Sequence, residues 1–188
     1  YLVAIKIMTY KLKTSSKRLL ADTLTPVNIY LKLRDVFAGS ILLESSDYHG
    51  NENSLSFICC DPMATFRVAN EFAEIRYPNQ RANRTKIDAS VHVPALLENF
   101  RNSFQSDASH QSKYPHDGLF GYMAYDAVRY FEDVTIQSTE ANHPDLFYSL
   151  YRYVIVVAHF SNEMTSFEPP LQTHNNQLTL RRLQQLIL

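Results

Sequence analysis

The sequence predicts an α+β fold in which helices cover a mostly antiparallel sheet. Short runs of apolar and β-branched residues, separated by turn-prone residues, indicate neighbouring strands. The densest such run, at residues 144–160, is expected to lie at the centre of the sheet. Other segments repeat their apolar residues at helical spacing. The length of 188 residues suffices for one sizeable core, or for most of a domain of a larger protein.

The stretch at residues 40–62 organises the predicted sheet, because it contains two apolar runs joined by a polar loop. Ile41-Leu42-Leu43 and residues 55–60 are expected to form a hairpin or two neighbouring strands, with Asp61-Pro62 ending the second. Residues 78–85 are predicted to be a loop. Further strands are predicted at residues 11–21, 64–68 and 72–77. A buried strand is also expected to lead into a short helix at about Tyr125, and a short strand to run through residue 167.

Three helices are predicted from apolar periodicity and from start and stop signals. The first covers residues 26–37, because Thr25 supplies a capping hydroxyl before Pro26 and Gly39 follows as a stop. The second runs from about residue 95 to residue 104, and a leucine-rich helix closes the sequence. Because this last helix has no stop signal, the natural chain is expected to continue. We therefore predict one domain at 1–168 and, at 169–188, a linker and the start of a helix.

Charge and apolar content disfavour two classes of partner. The 18 basic residues nearly balance the 19 acidic residues, so neither nucleic acid nor an anionic membrane is an expected partner. No apolar run reaches the length of a membrane span, and the first residues lack the features of a secretory signal. The only cysteines, Cys59 and Cys60, are adjacent in a predicted strand and should point to opposite faces, so we expect both to be reduced. A cytoplasmic protein is the interpretation that fits these features.

The sequence offers no catalytic residue or metal site that we can support. Neither a nucleophile elbow nor a phosphate-binding glycine loop, a zinc spacing or a dinucleotide fingerprint occurs. Of the seven histidines, His110 and His116 lie close to Asp117, but their spacing is not that of a helical metal pair. These histidines are expected at the surface, in a flexible polar loop at residues 105–117.

A carboxylate followed by a hydroxyl lies where the first apolar run of the hairpin ends. Glu44 could accept hydrogen bonds from an ammonium group, and Ser45 could donate one to a carboxylate, so the pair suits recognition of an amino acid. The alternative interpretation is a strand end that turns polar because it reaches solvent. Spacing alone leaves both interpretations open.

Two motifs resemble the amino-terminal region of anthranilate synthase component I, a member of the chorismate-utilising enzymes. The first is LLES followed by a polar loop and SFI, and the second is the block DGLFGYMAYDAVRYFE at residues 117–132. The resemblance implies that Leu43, Glu44 and Ser45 contact tryptophan at a feedback site. It also places Leu55 at that site, where some family members carry a lysine, although leucine cannot make a charged contact. Within the second motif, Asp126 and Arg129 are three residues apart and could pair with each other or with the rest of the core.

The resemblance also implies where the chemistry lies. The family converts chorismate and ammonia to anthranilate and pyruvate, with Mg²⁺ and the reacting groups in a carboxyl-terminal half and with ammonia supplied by a glutamine amidotransferase subunit. The resemblance thus implies that residues 1–168 are a regulatory and structural domain and that the helix at 169–188 leads to a missing catalytic half, so the present chain alone is expected to be inactive. Two alternatives remain open, namely the same region of aminodeoxychorismate synthase component I and a freestanding module that binds amino acids.

Overall fold

The computed structural model describes residues 9–44, 54–106, 112–136, 143–168 and 180–188. The strands are β1 (Tyr10–Leu12), β2 (Ser15–Leu20), β3 (Ile41–Leu43), β4 (Leu55–Ala69), β5 (Phe72–Arg76), β6 (Asn83–Lys86), β7 (Phe104–Ser106), β8 (Phe120–Met123), β9 (Leu146–Ala158) and β10 (Glu163–Glu168). The helices are α1 (Pro26–Arg34), α2 (Val93–Asn102) and α3 (Leu180–Ile187), with a 3-10 helix at Tyr125–Tyr130. The predicted α+β class is confirmed.

The described strands form one eight-stranded sheet and a separate pair, β1 with β7. The order in the larger sheet is β2-β10-β9-β4-β5-β6, while β3 pairs with β4 and β8 pairs with β9. The pairs with a defined register, which are β2–β10, β9–β10, β3–β4, β4–β5, β5–β6 and β8–β9, are all antiparallel. The mostly antiparallel sheet and the central place of β9 are therefore as predicted.

The chain divides into two compact units. Unit 1 comprises residues 1–11, 63–105 and 118–150, and unit 2 comprises residues 12–62, 106–117 and 151–188. Strands β4 and β9 contribute residues to both. The predicted polar loop at 45–53 and the linker at 169–176 lie outside the described residues, so the predicted division of the chain at residue 169 stays a prediction.

The core of unit 2 combines helices and strands from distant parts of the sequence. Helix α1 begins as predicted, because the Thr25 hydroxyl accepts a hydrogen bond from the Asn28 N–H at 3.2 Å and Pro26 occupies the first turn. Its apolar residues pack with those of β4, β9, β10 and α3, and all of these side chains are buried. The members include Ile29, Leu33, Ile58, Cys60, Ile155, Val157, Met164, Leu183 and Ile187. The Lys32 ammonium also donates to the Ile187 carbonyl at 2.6 Å. A positive charge at this position stabilises the C-terminal end of α3, where the helix dipole is negative.

The core of unit 1 is aromatic. Phe100 of helix α2 is fully buried, and its ring contacts those of Phe66, Tyr77 and Phe104 with centroids 5.2–5.8 Å apart. Tyr10 stacks on Tyr77 at 5.9 Å. Such offset and edge contacts stabilise aromatic clusters beyond the area that they bury.

Strand β4 shows that one predicted boundary was wrong. Asp61-Pro62 was expected to end the strand, yet β4 continues from Leu55 through Pro62 to Ala69. Asp61 has a positive φ of 59°, and its carboxylate pairs with the Arg152 guanidinium at 3.2 Å. Pro62 lies between the stretch that pairs with β3 and the stretch that pairs with β5. Neither β3 nor β5 therefore needs a hydrogen bond from an N–H at this position.

Three smaller predictions also need correction. The loop at 78–85 contains the start of β6, which pairs with β5 through four residues. Strand β8 was expected to be buried, but its residues are half-buried or exposed. The segment at 105–117 begins in β7, and its part at 112–117 includes buried Tyr114, while residues 107–111 lie outside the described residues.

Candidate functional site

Three of the predicted effector residues, Leu43, Glu44 and Leu55, lie at one end of the β3–β4 ribbon, within unit 2. The register pairs Ile41 with Cys59, Leu42 with Ile58 and Leu43 with Phe57. Glu44 directly follows the last pair on one strand, and Leu55 lies two residues before it on the other. The predicted hairpin strands are thus confirmed, and they bring residues 43–44 close to the start of β4.

The two faces of this ribbon differ in burial. Directly paired residues project from the same face, as do residues two apart along a strand. Leu43, Phe57 and Leu55 therefore share one face, while Ile58 lies on the other, in the core of unit 2. Leu43 is 37% exposed, and Phe57 and Leu55 are half-buried. We call these three residues the apolar strip, and it is a surface that a flat apolar group could cover.

The structure describes only one member of the predicted pair Glu44 and Ser45. Glu44 is exposed directly after β3. Ser45 lies outside the described residues. The predicted juxtaposition of these two side chains thus stays a prediction.

Sequence reasoning missed a set of polar residues at the same end of β4. Ser56 is fully buried, and its hydroxyl lies 2.7 Å from Nε2 of His159. The backbone N–H of His159 donates to the backbone carbonyl of Ser54 at 3.1 Å. Ser54 is 7% exposed, and its hydroxyl has no hydrogen-bond partner in the described part of the chain. The alternation of serines with apolar residues in S-L-S-F, at residues 54–57, could have indicated that the serines share one face of the strand. Nothing in the sequence indicates that His159 lies beside Ser56, because only folding brings the two together.

The two cysteines are buried as expected for reduced residues in a strand. Both are fully buried and neither is in a disulfide. Burial raises the pKa of the Cys59 thiol well above its ordinary range, and the neighbouring Cys60 raises it further. Burial likewise raises the pKa of Cys60 to about 12. Because the thiolate is the nucleophilic form, neither residue is suited to nucleophilic catalysis at neutral pH.

The second motif forms a hydrogen-bonded cluster in unit 1. The Arg129 guanidinium donates to the Asp145 carboxylate at 2.6 Å, and the Tyr130 hydroxyl donates to the same oxygen at 2.8 Å. The ion partner of Arg129 is Asp145. Of the two predicted possibilities, which were pairing with Asp126 or with the rest of the core, the structure therefore shows the second. Burial raises the pKa of Tyr130, and a hydrogen bond to Asp145 adds to that effect while Arg129 opposes it. The cluster is structural, since it fixes the 3-10 helix to the start of β9.

Gly121, also in the second motif, is required by a close backbone approach. It pairs with Tyr148 across β8 and β9. A Cβ atom at this position would lie 1.9 Å from the Phe147 carbonyl oxygen, far inside contact distance. Only glycine permits this pairing without separating the strands.

The predicted surface histidines are not both at the surface. His110 lies outside the described residues. The His116 side chain is only 7% exposed, and its ring stacks on Phe167 at 4.2 Å. In the described part of the chain, no group of three or more potential ligands could hold a metal ion. None of the helices described here has the length and apolar character needed to cross a bilayer.

The chain is similar to several known proteins that carry the same name. A protein of Aquifex aeolicus called anthranilate synthase component 1 is 30% identical over 143 residues, which cover 74% of this chain and 27% of that protein. The protein of the same name from Thermus thermophilus is 29% identical over 154 residues, covering 81% and 31%. That of Methanothermobacter thermautotrophicus is 26% identical over 138 residues, covering 73% and 27%. No protein-family model matches the chain.

The chain belongs to the anthranilate synthase component 1 family, as the LLES segment and the block at 117–132 indicated. It spans less than a third of the length of the curated relatives that it matches.

Proposed function

We propose that this chain is the amino-terminal region of an anthranilate synthase component 1 enzyme and that its β3–β4 ribbon forms part of a tryptophan feedback site. The observation that supports the site is the β3–β4 register, which places Leu43 and Glu44 close to Leu55. An acidic side chain and a half-exposed apolar strip thus meet at one end of the ribbon. This combination matches the ammonium group and the indole ring of tryptophan.

Each proposed contact follows from side-chain chemistry. The Glu44 carboxylate accepts hydrogen bonds from the ammonium group, and the Ser45 hydroxyl donates one to the carboxylate. The apolar strip covers part of the indole ring, which removes apolar surface from water. Leu55 adds area but no charge.

Feedback requires that tryptophan distinguish two states of the complete enzyme. A ligand shifts an equilibrium only by its difference in affinity for the two states. We propose that tryptophan bridges this ribbon and the carboxyl-terminal half in the less active arrangement. At this ribbon the isolated chain then binds tryptophan weakly or not at all, because it supplies only part of the contacts.

The rest of the proposed enzyme carries the reaction. In this proposal, chorismate, ammonia and Mg²⁺ meet in the carboxyl-terminal half, and a glutamine amidotransferase subunit supplies the ammonia. Because this proposal places the reacting groups outside the present chain, we expect no anthranilate from it with chorismate, ammonia and Mg²⁺. The division into residues 1–168 and 169–188 and a cytoplasmic location belong to the same proposal.

The decisive experiment measures feedback inhibition of the complete enzyme. Glu44→Ala and Ser45→Phe should each weaken inhibition by tryptophan by roughly tenfold or more, because a charged hydrogen bond contributes about 1.5–3 kcal/mol. Activity without tryptophan should be unchanged. Exposed Glu132 and exposed Ser16 offer matched controls, Glu132→Ala and Ser16→Phe, which should leave inhibition intact. Undiminished inhibition in both test variants would refute the site.

The same preparation separates the alternatives. The relatives compared here carry the name anthranilate synthase component 1, which favours anthranilate over aminodeoxychorismate as the product. Chromatography of the reaction products distinguishes the two compounds. A reading frame that ends near residue 188 would instead favour a freestanding module, as would micromolar tryptophan binding by the present chain that Glu44→Ala abolishes.

A further inference from the structure

A cleft in unit 1 has the features of a second small-molecule site. Its volume is about 390 Å³, and it is bounded by helix α2, by the residues before β8, by the end of the 3-10 helix and by β9. Ligand sites in proteins are typically clefts of about 300–1,000 Å³. A cavity of about 150 Å³ can already hold one benzene ring, so this cleft has room for a ring and a polar head group.

The walls of the cleft are mainly apolar. Pro94, Leu97, Leu119, Phe131 and Tyr148 are among the residues that line it. Phe131 is 41% exposed, although an aromatic ring of this size usually contributes to a buried surface. An apolar ligand group in the cleft would cover it.

Two opposite charges lie beside these walls on one face of α2. The Arg101 guanidinium is 3.9 Å from the Glu98 carboxylate, and both side chains are about two-thirds exposed. A pair with this distance and exposure contributes at most about 1 kcal/mol. A ligand can therefore separate the two charges at little cost, provided that it supplies an opposite charge to each.

We propose that this cleft binds a free amino acid with an apolar or aromatic side chain. The carboxylate of the amino acid pairs with Arg101, its ammonium group pairs with Glu98, and its side chain lies against the apolar walls. A plain carboxylate would satisfy Arg101 and be repelled by Glu98, and a plain amine would meet the reverse situation. The site lies wholly in unit 1 and is separate from the β3–β4 ribbon of unit 2.

The test is calorimetry and NMR titration of the full 188-residue chain with three probes of similar size. L-Phenylalanine should bind saturably, and 3-phenylpropanoate and 2-phenylethylamine should each bind at least about fivefold more weakly. Arg101→Gln should weaken phenylalanine binding by about fivefold to tenfold. Phe131→Ala should weaken it severalfold through lost apolar contact.

Matched variants keep the outcome interpretable. Arg81→Gln and Phe160→Ala remove another exposed arginine and another exposed aromatic ring, and neither should change binding. Glu44→Ala should also have no effect, so failure here is distinct from failure of the proposed feedback site. Absence of saturable phenylalanine binding, or equal binding by Arg101→Gln, would overturn the proposal. So would a loss of binding in Glu44→Ala alone.

Discussion

Replacement of Arg129 by methionine tests the energetic role of the second motif. Arg129 is 24% exposed in its side chain and donates to Asp145, whose side chain is 8% exposed. Removing one partner of a buried ion pair costs about 3–5 kcal/mol, because the other charge stays buried. Asp145 retains the hydrogen bond from the Tyr130 hydroxyl at 2.8 Å, and Arg129 is partly hydrated. We therefore expect Arg129→Met to lower the free energy of unfolding by about 2–3 kcal/mol.

A double-mutant cycle in urea separates the two possible partners of Arg129. Asp145→Asn combined with Arg129→Met should show a coupling energy of about 1–2 kcal/mol, as expected for residues in direct contact. Asp126→Asn combined with the same change should show about 0.5 kcal/mol or less, because Asp126 is not the ion partner. Equal coupling for both acids, or a cost below about 0.5 kcal/mol for Arg129→Met, would refute this reasoning.

Two further predictions concern the strands. Gly121→Ala should destabilise the protein by about 2–3 kcal/mol in urea, since the new Cβ atom would meet the Phe147 carbonyl oxygen; stability within about 0.5 kcal/mol of the original chain would contradict the β8–β9 register. Stability should also fall as the pH rises through the window from about 9 to about 12, because burial raises the folded-state pKa of Cys60 to about 12 while the unfolded thiol ionises near 9. The unfolded state then binds fewer protons than the folded state, which lowers stability by up to about 1.4 kcal/mol per pH unit for each such group. Cys60→Ala should show a shallower decline in urea unfolding across this window, and an unchanged slope would contradict it.

Local signals in the sequence predicted much of the fold. Thr25 and Pro26 began helix α1 as expected, and the turn between β4 and β5 contains Asn70 and Glu71, both with positive φ. These features depend on neighbouring residues only, so a sequence displays them directly. The strand boundary at Asp61-Pro62 was wrong for the opposite reason. A proline normally argues against a central strand, but its effect depends on which neighbouring strand would need its N–H, and that is a property of the assembled sheet.

The candidate site shows the same division between local and long-range information. The pair Glu44 and Ser45 is visible as a motif, and the two apolar runs indicate that two neighbouring strands lie beside it. The contact between Ser56 and His159 joins residues 103 positions apart, and no periodicity in the sequence indicates it. The cleft of unit 1 was equally hidden, because Leu97 and Arg101 look like an ordinary helix face until Phe131 and Tyr148 are placed beside them.

Arg129 shows why a motif does not determine its own contacts. Three residues complete one turn of a 3-10 helix, so Asp126 and Arg129 lie on the same side of it. The pairing of β8 with β9 brings a competing acid close, since the Ala124 N–H donates to the Asp145 carbonyl at 2.8 Å. Asp145 is nearly buried, where a charge gains more from a partner than it would in solvent. The guanidinium therefore pairs with the acid that most needs neutralisation, and the strand register decides which acid that is.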